Sequence, residues 1–339
     1  MNGLEFFVFS LVDVAERKAY PLLVKQTVRS EAEKAAIKER KRKRAKKSKT
    51  TRSKPKGRRK GSLNKDKNEL NLSPELLRIN ELLSALVKLT RVFVRIKYVA
   101  LDGHFGHHQA VLMAIQSDLH LISKMRKDAA LYEQYEGEYG GRGPKNKYGT
   151  KINYDKLPTK YWKKSKRQAE LITNYYQGIF LHKEFGRAIN VVIIERINLK
   201  TKHIGHAILF SSDSELGWEK LIDYYSLRFQ IEFNFREAKQ HFGLEDFMNT
   251  TKVGVENAAN IAFLMVNISA KLLKNSNEKC VGINDLKTHF RGVKYVVEAI
   301  KILLKKPETI LMKEAIEEVK ERISKLGSIH QAKVASSSA

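Results

Sequence analysis

One stretch of the chain, Tyr224 to Phe242, carries apolar residues at the spacing of a single helix face. Leu227, Ile231, Ala238 and Phe242 follow one another at steps of four or seven residues, which is the period of an amphipathic helix. The pattern therefore predicts one helix over this stretch, with its apolar side packed against the rest of the fold.

A polar stripe runs beside the apolar one and contains Tyr225, Arg228, Glu232 and Lys239. Their steps of three, four and seven residues place the four side chains within a narrow arc of the predicted helix. One interpretation is a solvated face with ordinary ion pairs, such as Arg228 with Glu232. The other is a working face, on which a carboxylate holds a metal while the phenol, guanidinium and ammonium groups hold phosphate.

The spacing Y-x2-R-x3-E-x6-K resembles the helix signature of a large group of DDE insertion-sequence transposases, and the flanking sequence FQIEFNFREAKQHFGLED is similar to this group as well. The resemblance implies that Glu232 is the third catalytic carboxylate and a metal ligand. It also implies that Tyr225, Arg228, Lys239 and Arg236 bind DNA phosphates. The implied cofactor is Mg²⁺ or Mn²⁺, as a pair of ions. The implied partners are transposon ends and target DNA, with a homodimer on DNA as a further expectation.

A second candidate carboxylate, Asp102, follows the apolar run Ile96 to Leu101, which predicts a short strand. Sites of open α/β sheets gather at the carboxyl ends of such strands. The alternative is an aspartate that caps the following helix. The segment DGHFGHHQAVLMAIQSDLHLISKMRKDAALY resembles the part of these transposases that carries the second catalytic aspartate, which implies a metal-binding role for Asp102.

The first carboxylate of the family triad has no convincing match. Asp13 ends the apolar run 4–12, which looks like the family's second strand, and Asp213 lies in a cap-like segment before the Glu232 helix. We interpret Asp213 chiefly as a capping residue, with a metal role as the alternative. The resemblance thus implies an N-terminally truncated transposase. Such a chain is either active, with Asp13 or Asp213 completing the triad, or a catalytically inactive DNA-binding remnant.

The formal net charge of +27 indicates a polyanionic partner, most simply nucleic acid, with an anionic membrane surface as the alternative. Residues 34–60 contain sixteen Lys or Arg against one acid, Glu39, and so carry +15 of that charge. We expect the early part to extend a helix and the later part to be disordered, either as a clamp on the DNA backbone or as a solvated linker. The basic, aromatic stretch 137–165 suits strand contact or is a flexible loop.

The sole cysteine, Cys280, excludes an internal disulfide framework and a paired-cysteine zinc finger, and it suggests a reducing, cytoplasmic and nucleoid-associated location. We count no run of about 18 apolar residues, so we expect no membrane-spanning helix.

The resemblance implies an α/β fold of the ribonuclease H type, with a mixed sheet, flanking helices, a β-insert before the glutamate helix and a helical C-terminal part. In the expected organisation, residues 1–30 form a first hairpin of the catalytic domain, and a basic, largely disordered insertion follows over 31–70. The rest of the catalytic domain spans 71–250 and includes the β-insert at about 137–212. A helical region over 251–330 and a disordered tail over 331–339 complete the chain. Within the helical region, the pattern predicts a helix at 257–273 buried on most sides, and surface helices at 283–290, 293–304 and 308–326.

Overall fold

A computed structural model describes residues 4–48, 69–139, 141, 143–246, 248, 250–275, 282–303, 313, 314 and 316–318. The chain forms two compact units. The first contains residues 1–18 and 27–230, and the second contains 19–26 and 231–339. The later basic stretch, Cys280, the tail and most of the helix predicted at 308–326 lie outside the described residues.

The first unit is built on an eight-stranded sheet with the order β3-β4-β10-β9-β8-β5-β6, in which β7 also pairs with β8. The elements of this unit are β1 (Phe6–Asp13), α1 (Glu31–Ser48), α2 (Pro74–Thr90), β3 (Tyr98–Ala100), α3 (His108–Gln116), β4 (His120–Met125), β5 (Leu131–Gln134), β6 (Tyr148–Lys151), β7 (Trp162–Gln168), β8 (Leu171–His182), β9 (Ala188–Asn198), β10 (Ile204–Ser211) and α4 (Trp218–Leu227). Strands β3 and β4 are parallel and the other described pairs are antiparallel. The predicted mixed α/β architecture is therefore confirmed.

Apolar side chains cover both faces of this sheet. On one face, α2 and α3 pack through residues such as Ile79, Leu83 and Met113 against Val191 and Phe210 of the sheet. On the other face, α4 packs against residues such as Ile122, Val192 and Leu209. Because consecutive strand residues alternate between faces, each strand supplies side chains to both cores.

The second part of the sheet differs from the expected β-insert. Strand β10 pairs with β4 from Ile208↔Met125 to Ser211↔Ile122, so β8, β9 and β10 continue the sheet that contains β3. Strands β7 and β8 were not predicted. The sequence of β8, LITNYYQGIFLH, mixes polar and apolar residues without the strict alternation that signals a half-buried strand. The described strands of the eight-stranded sheet also do not include β1, although Phe7 and Phe9 pack against its core.

The early part of the basic insertion predicted over 31–70 is the helix α1, as expected for that part, and residues 49–68 lie outside the described residues. Ser30 and Glu33 form a reciprocal capping box that starts α1, with Ser30 Oγ accepting from the Glu33 N–H at 3.2 Å. Glu33 also forms an ion pair with Arg78 of α2 at 2.8 Å. These contacts, led by the Arg78 hydrogen bond, lower the pKa of Glu33.

The helix predicted over 224–242 is two helices, α4 and α5 (Gln230–Phe242), separated by a turn at Arg228 and Phe229. The turn is tightened to i→i+3 bonding, with the Phe229 N–H donating to Ser226 O at 3.1 Å. The Ser226 hydroxyl donates to Asp223 O and competes for helix carbonyls just before the break. One helical wheel therefore does not describe the whole polar stripe.

The second unit contains β2 (Lys18–Gln26), α5, α6 (Lys252–Asn275) and α7 (Ile283–Leu303). Three asparagine amides from α5 and α6 donate to carbonyls of β2: Asn234 to Ala19, Asn260 to Val24 and Asn267 to Pro21, at 3.0, 3.2 and 2.7 Å. Helix α7 is continuous where two helices were predicted, since Gly292 in a helix interior costs only about 1 kcal/mol.

Helix α6 is buried along one stripe and not on most sides. Val255, Ala259 and Phe263 are buried, whereas Ile261 and Leu264 are exposed. By length and composition alone, α6 is the one helix in the described part of the chain that could cross a membrane, which the count of apolar residues had not anticipated. A soluble core helix meets the same criterion, and Phe263 of α6 makes an edge-on ring contact with Phe235 at 5.0 Å.

Candidate active site and DNA interface

Asp102 lies two residues after the last residue of β3, at the carboxyl end of that strand, as predicted from the sequence. It is the N-terminal flanking residue of a short 3-10 helix, Gly103–Phe105, but its side chain makes no capping hydrogen bond there. Its backbone is held instead, because the buried Ser123 hydroxyl donates to Asp102 O at 3.0 Å. The carboxylate is thus exposed on a fixed backbone.

Two glycines allow the turn after Asp102 to pack against the end of β4. A Cβ on Gly106 would lie 2.2 Å from Lys124 O, and one on Gly103 would lie 3.4 Å from the Lys124 Cβ. Lys124 is exposed and neighbours the Asp102 turn, a proximity that the sequence did not reveal because it depends on the parallel register of β3 and β4.

We expect Gly106→Ala to destabilise the first unit by about 3 kcal/mol or more, because the added methyl would clash with a backbone carbonyl that cannot move freely. Gly217→Ala is the matched control, since a Cβ at Gly217 has open space around it. Urea unfolding monitored by circular dichroism measures both variants. Equal stability of the two variants would contradict the close approach at Gly106.

Arg228 and Tyr225 join Asp102 in one group of side chains within the first unit. Arg228 Nη2 lies 3.7 Å from Asp102 Oδ1, which is longer than a hydrogen bond and describes an ion pair in loose contact. The Arg228 guanidinium carbon lies 5.5 Å from the centre of the Tyr225 ring. Arg228 Nε is buried and has no hydrogen-bond partner among the described residues.

The Tyr225 hydroxyl in this group remains a donor at neutral pH. Burial, the largest effect, raises its pKa, and the charge of Asp102 adds to this while Arg228 acts in the opposite direction. The group therefore presents a protonated phenol and a guanidinium beside an exposed carboxylate, a donor set suited to a phosphate next to a cation.

The residues fit a divalent cation in their chemistry. Mg²⁺ prefers oxygen ligands, and Asp102 and Glu232 are both exposed carboxylates. The loose contact with Arg228 leaves lone pairs of Asp102 available to a metal. Within the described ranges, no group of three or more His, Cys, Asp or Glu side chains is arranged to hold a metal ion.

Asp213 lies away from Asp102, at the other end of β3. Its Oδ2 accepts a hydrogen bond from the Tyr98 hydroxyl at 2.7 Å, and its Oδ1 accepts from the Glu215 N–H at 2.9 Å. Tyr98, which binds Asp213, is the first residue of β3, and Asp102 lies four residues further along the chain. The two positions are therefore about 13 Å apart along the strand direction.

The environment of Asp213 keeps it ionised. Burial works to raise its pKa, but the hydrogen bonds from Tyr98 and from the Glu215 backbone outweigh burial, and the pKa is lowered. Asp13 is also engaged locally, since its Oδ1 accepts from the Glu16 N–H at 2.9 Å in the turn after β1. Both aspartates thus serve as turn or capping residues.

Glu232, Arg236 and Lys239 lie in the second unit, on α5. Their spacing of four and three residues places them on one exposed face of this helix. Lys239 is paired with Glu245, a partner that the sequence reading missed, and the guanidinium of Arg236 lies 4.7 Å from the centre of the Phe233 ring. A phosphate at Lys239 would compete with Glu245.

A comparison with family models identifies the class of protein. Residues 76–268 match the family described as Transposase DDE domain, a span of more than half of the 339 residues. The chain therefore belongs to the DDE transposase family, as predicted from the sequence, and the narrower group with the Y-R-E-K helix signature stays a prediction. Asp102, Tyr225, Arg228, Glu232, Arg236 and Lys239 all lie within the matched span. A search of curated proteins gave no match. Membership implies DNA as a partner, and the family generally uses divalent metals.

Proposed function

We propose that this chain is a DNA transposase by family, whose site, when its set of carboxylates is complete, performs metal-dependent cleavage and strand transfer at transposon ends. The observation that carries the proposal is the group of Asp102, Arg228 and Tyr225 at the carboxyl end of β3, where an exposed carboxylate lies beside two phosphate-binding side chains. Asp102 and Glu232 are the proposed metal ligands. When bound, a pair of Mg²⁺ or Mn²⁺ ions would activate the attacking oxygen and stabilise the leaving oxygen.

The remaining side chains of the proposed site bind and orient DNA. Arg228 offers its terminal nitrogens to a phosphate, and a guanidinium can hold two phosphate oxygens at once. Tyr225 adds one hydroxyl donor. Arg236 and Lys239 are proposed to bind phosphates from α5. We further propose that the protein works as a homodimer on transposon-end and target DNA, at the nucleoid in the cytoplasm.

The second candidate is a catalytically inactive transposase that retains DNA binding. The observation that favours it is the local bonding of the two aspartates considered for a third ligand: Asp13 bonds to Glu16, and Asp213 bonds to Tyr98 and Glu215. With Asp102 and Glu232 alone, two side chains would serve two ions. We therefore propose that this chain by itself binds DNA and does not complete cleavage.

Arg228→Gln is expected to lower DNA affinity about tenfold, because a charged hydrogen bond to phosphate contributes about 1.5–3 kcal/mol. The slope of log K against log salt should fall by about one unit, as one phosphate contact is lost. Arg228→Lys keeps the charge, so it should keep the slope while losing part of the affinity. Fluorescence anisotropy with a labelled duplex, at several salt concentrations, gives both quantities.

If Arg228→Gln keeps the wild-type DNA affinity and the wild-type salt slope, Arg228 does not bind phosphate. Thermal unfolding of each variant separates this result from a loss of structure, because Arg228 also contacts Asp102 and Tyr225.

A further inference from the structure

Three neighbouring strands, β7, β8 and β9, extend the sheet into a ribbon that carries exposed positive charge. Every residue of β7 is exposed, and the strand reads WKKSKRQ. β7 pairs with β8 over Trp162–Gln168, and β8 pairs with β9 over Leu171–Leu181. Because β7 is exposed to solvent, packing against the core does not explain its basic side chains.

The register assigns these charges to one face of the ribbon. Residues opposite each other in antiparallel strands point to the same face. Lys166 lies opposite Thr173, which lies opposite Arg196, and Lys164 lies opposite Tyr175, which lies opposite Ile194. Ile194 packs against α4, and the Tyr175 ring lies 5.0 Å from that of Trp218 in α4. Lys164, Lys166 and Arg196 therefore share the α4 face.

The described strand positions on this face carry no opposing charge. At the described positions of β7, β8 and β9 that point to the α4 face, there is no Asp or Glu. Glu195 points to the opposite face, where it accepts a hydrogen bond from Asn174 at 2.8 Å. None of Lys164, Lys166 and Arg196 forms an ion pair with a described residue. Three cations are thus free to meet an anion on the side of the sheet where Tyr225 also lies.

The ribbon projects from the end of the sheet at which Asp102 lies. Ala100 is level with Ile122, so Asp102 is level with Lys124, which pairs with Leu209 and through it with Val192. Arg196 is four residues further in the same direction. At 3.3 Å per residue and 4.8 Å per strand, Arg196 and Lys166 lie roughly 20 and 27 Å from Asp102.

We propose that the α4 face of this ribbon, through Lys164, Lys166 and Arg196, is a docking surface for the backbone of double-stranded DNA that enters the Asp102–Arg228 site. The inference rests on the proposed function and adds the path of the DNA. The distances match less than one duplex turn of about 34 Å, so one DNA segment reaches both places. The contacts are to phosphates, so the surface binds DNA without reading its sequence.

The test compares two triple variants that remove the same charge from opposite ends of the sheet. The ribbon variant is Lys164→Gln, Lys166→Gln, Arg196→Gln. The control is Lys88→Gln, Arg91→Gln, Lys97→Gln, whose exposed side chains lie at the end of α2 and before β3. DNA affinity of the full chain is measured by anisotropy on a 30-base-pair duplex across salt concentrations.

We expect the ribbon variant to lower the salt slope by about 2.7 units, at about 0.9 per lost phosphate contact, and the control to leave the slope near that of the wild type. In the wild type, DNA should also protect Lys164 and Lys166, but not Lys88, from acetylation. Equal slopes in both variants, or equal acetylation with and without DNA, would overturn the proposal. If the wild type binds DNA but either of these results is obtained, the proposed function stands and only the docking surface is excluded. If the wild type does not bind DNA, the docking surface and the proposed function are both excluded.

Discussion

Deletion of residues 34–60 is expected to weaken duplex DNA binding by a factor that is about a thousandfold larger at 50 mM than at 200 mM salt. The segment carries +15 of the net charge of +27, so the remainder of the chain keeps +12. A protein that loses about six phosphate contacts loses roughly five units of salt slope, and basic segments supply such contacts without sequence readout. The measurement is equilibrium anisotropy from 50 to 200 mM salt.

A second variant separates the charge from the length of this segment. Replacement of its sixteen Lys and Arg by Gln keeps the chain length. Because Gln has a helix propensity close to that of Lys and Arg, the replacement also preserves helix formation over residues 34–48. The capping box of Ser30 and Glu33 is kept in both variants. Both variants should show the same loss of slope. An unchanged slope in either of them would exclude an electrostatic clamp.

The purified chain is expected to bind a transposon-end duplex and to leave it uncut in Mg²⁺ or Mn²⁺. The two proposed metal-binding carboxylates, Asp102 and Glu232, supply only two side chains for two ions, and Mg²⁺ then keeps most of its water and binds weakly. The phosphate-binding donors of Tyr225 and Arg228 do not depend on a metal. DNA binding should therefore persist where cleavage fails, which a nicking gel and a binding assay on the same sample will show.

Glu232→Ala is the decisive comparison in the nicking assay, and Glu237→Ala removes the same charge from another face of α5. Nicking by the wild type that survives in Glu237→Ala and disappears in Glu232→Ala would establish a complete site and refute the expected inactivity. Asp13→Asn and Asp213→Asn, tested one at a time, would then identify the third ligand.

The local elements were predictable where a single period dominates. Ser73, Pro74 and the apolar residues after them predict α2, and in the structure Ser73 Oγ accepts from the Leu76 N–H at 3.3 Å. That β8, β9 and β10 join the sheet that contains β3 was not predictable, because this rests on the pairing of β10 with β4, more than 80 residues apart. Sequence periods describe one element and do not encode such a pairing.

The candidate site was predictable in part. The strand-end position of Asp102 follows from the apolar run before it, and the structure places it there. The proximity of Arg228 to Asp102 was implied only by family resemblance, since the helix that carries Arg228 breaks at that residue. The pairing of Lys239 with Glu245 depends on the turn after α5, and no periodic pattern indicates it.

The asparagines that donate hydrogen bonds to β2 are synthesised long after that strand, so the strand cannot complete its native contacts when it leaves the ribosome. The carbonyls of Ala19, Pro21 and Val24 meet their amide donors 215, 246 and 236 residues later in the chain. At about 5–20 residues per second, a ribosome delivers those donors roughly 10–50 s after it delivers the strand. During that interval the strand's acceptors are exposed to other partners. The second unit therefore completes its fold only after α6 has been synthesised.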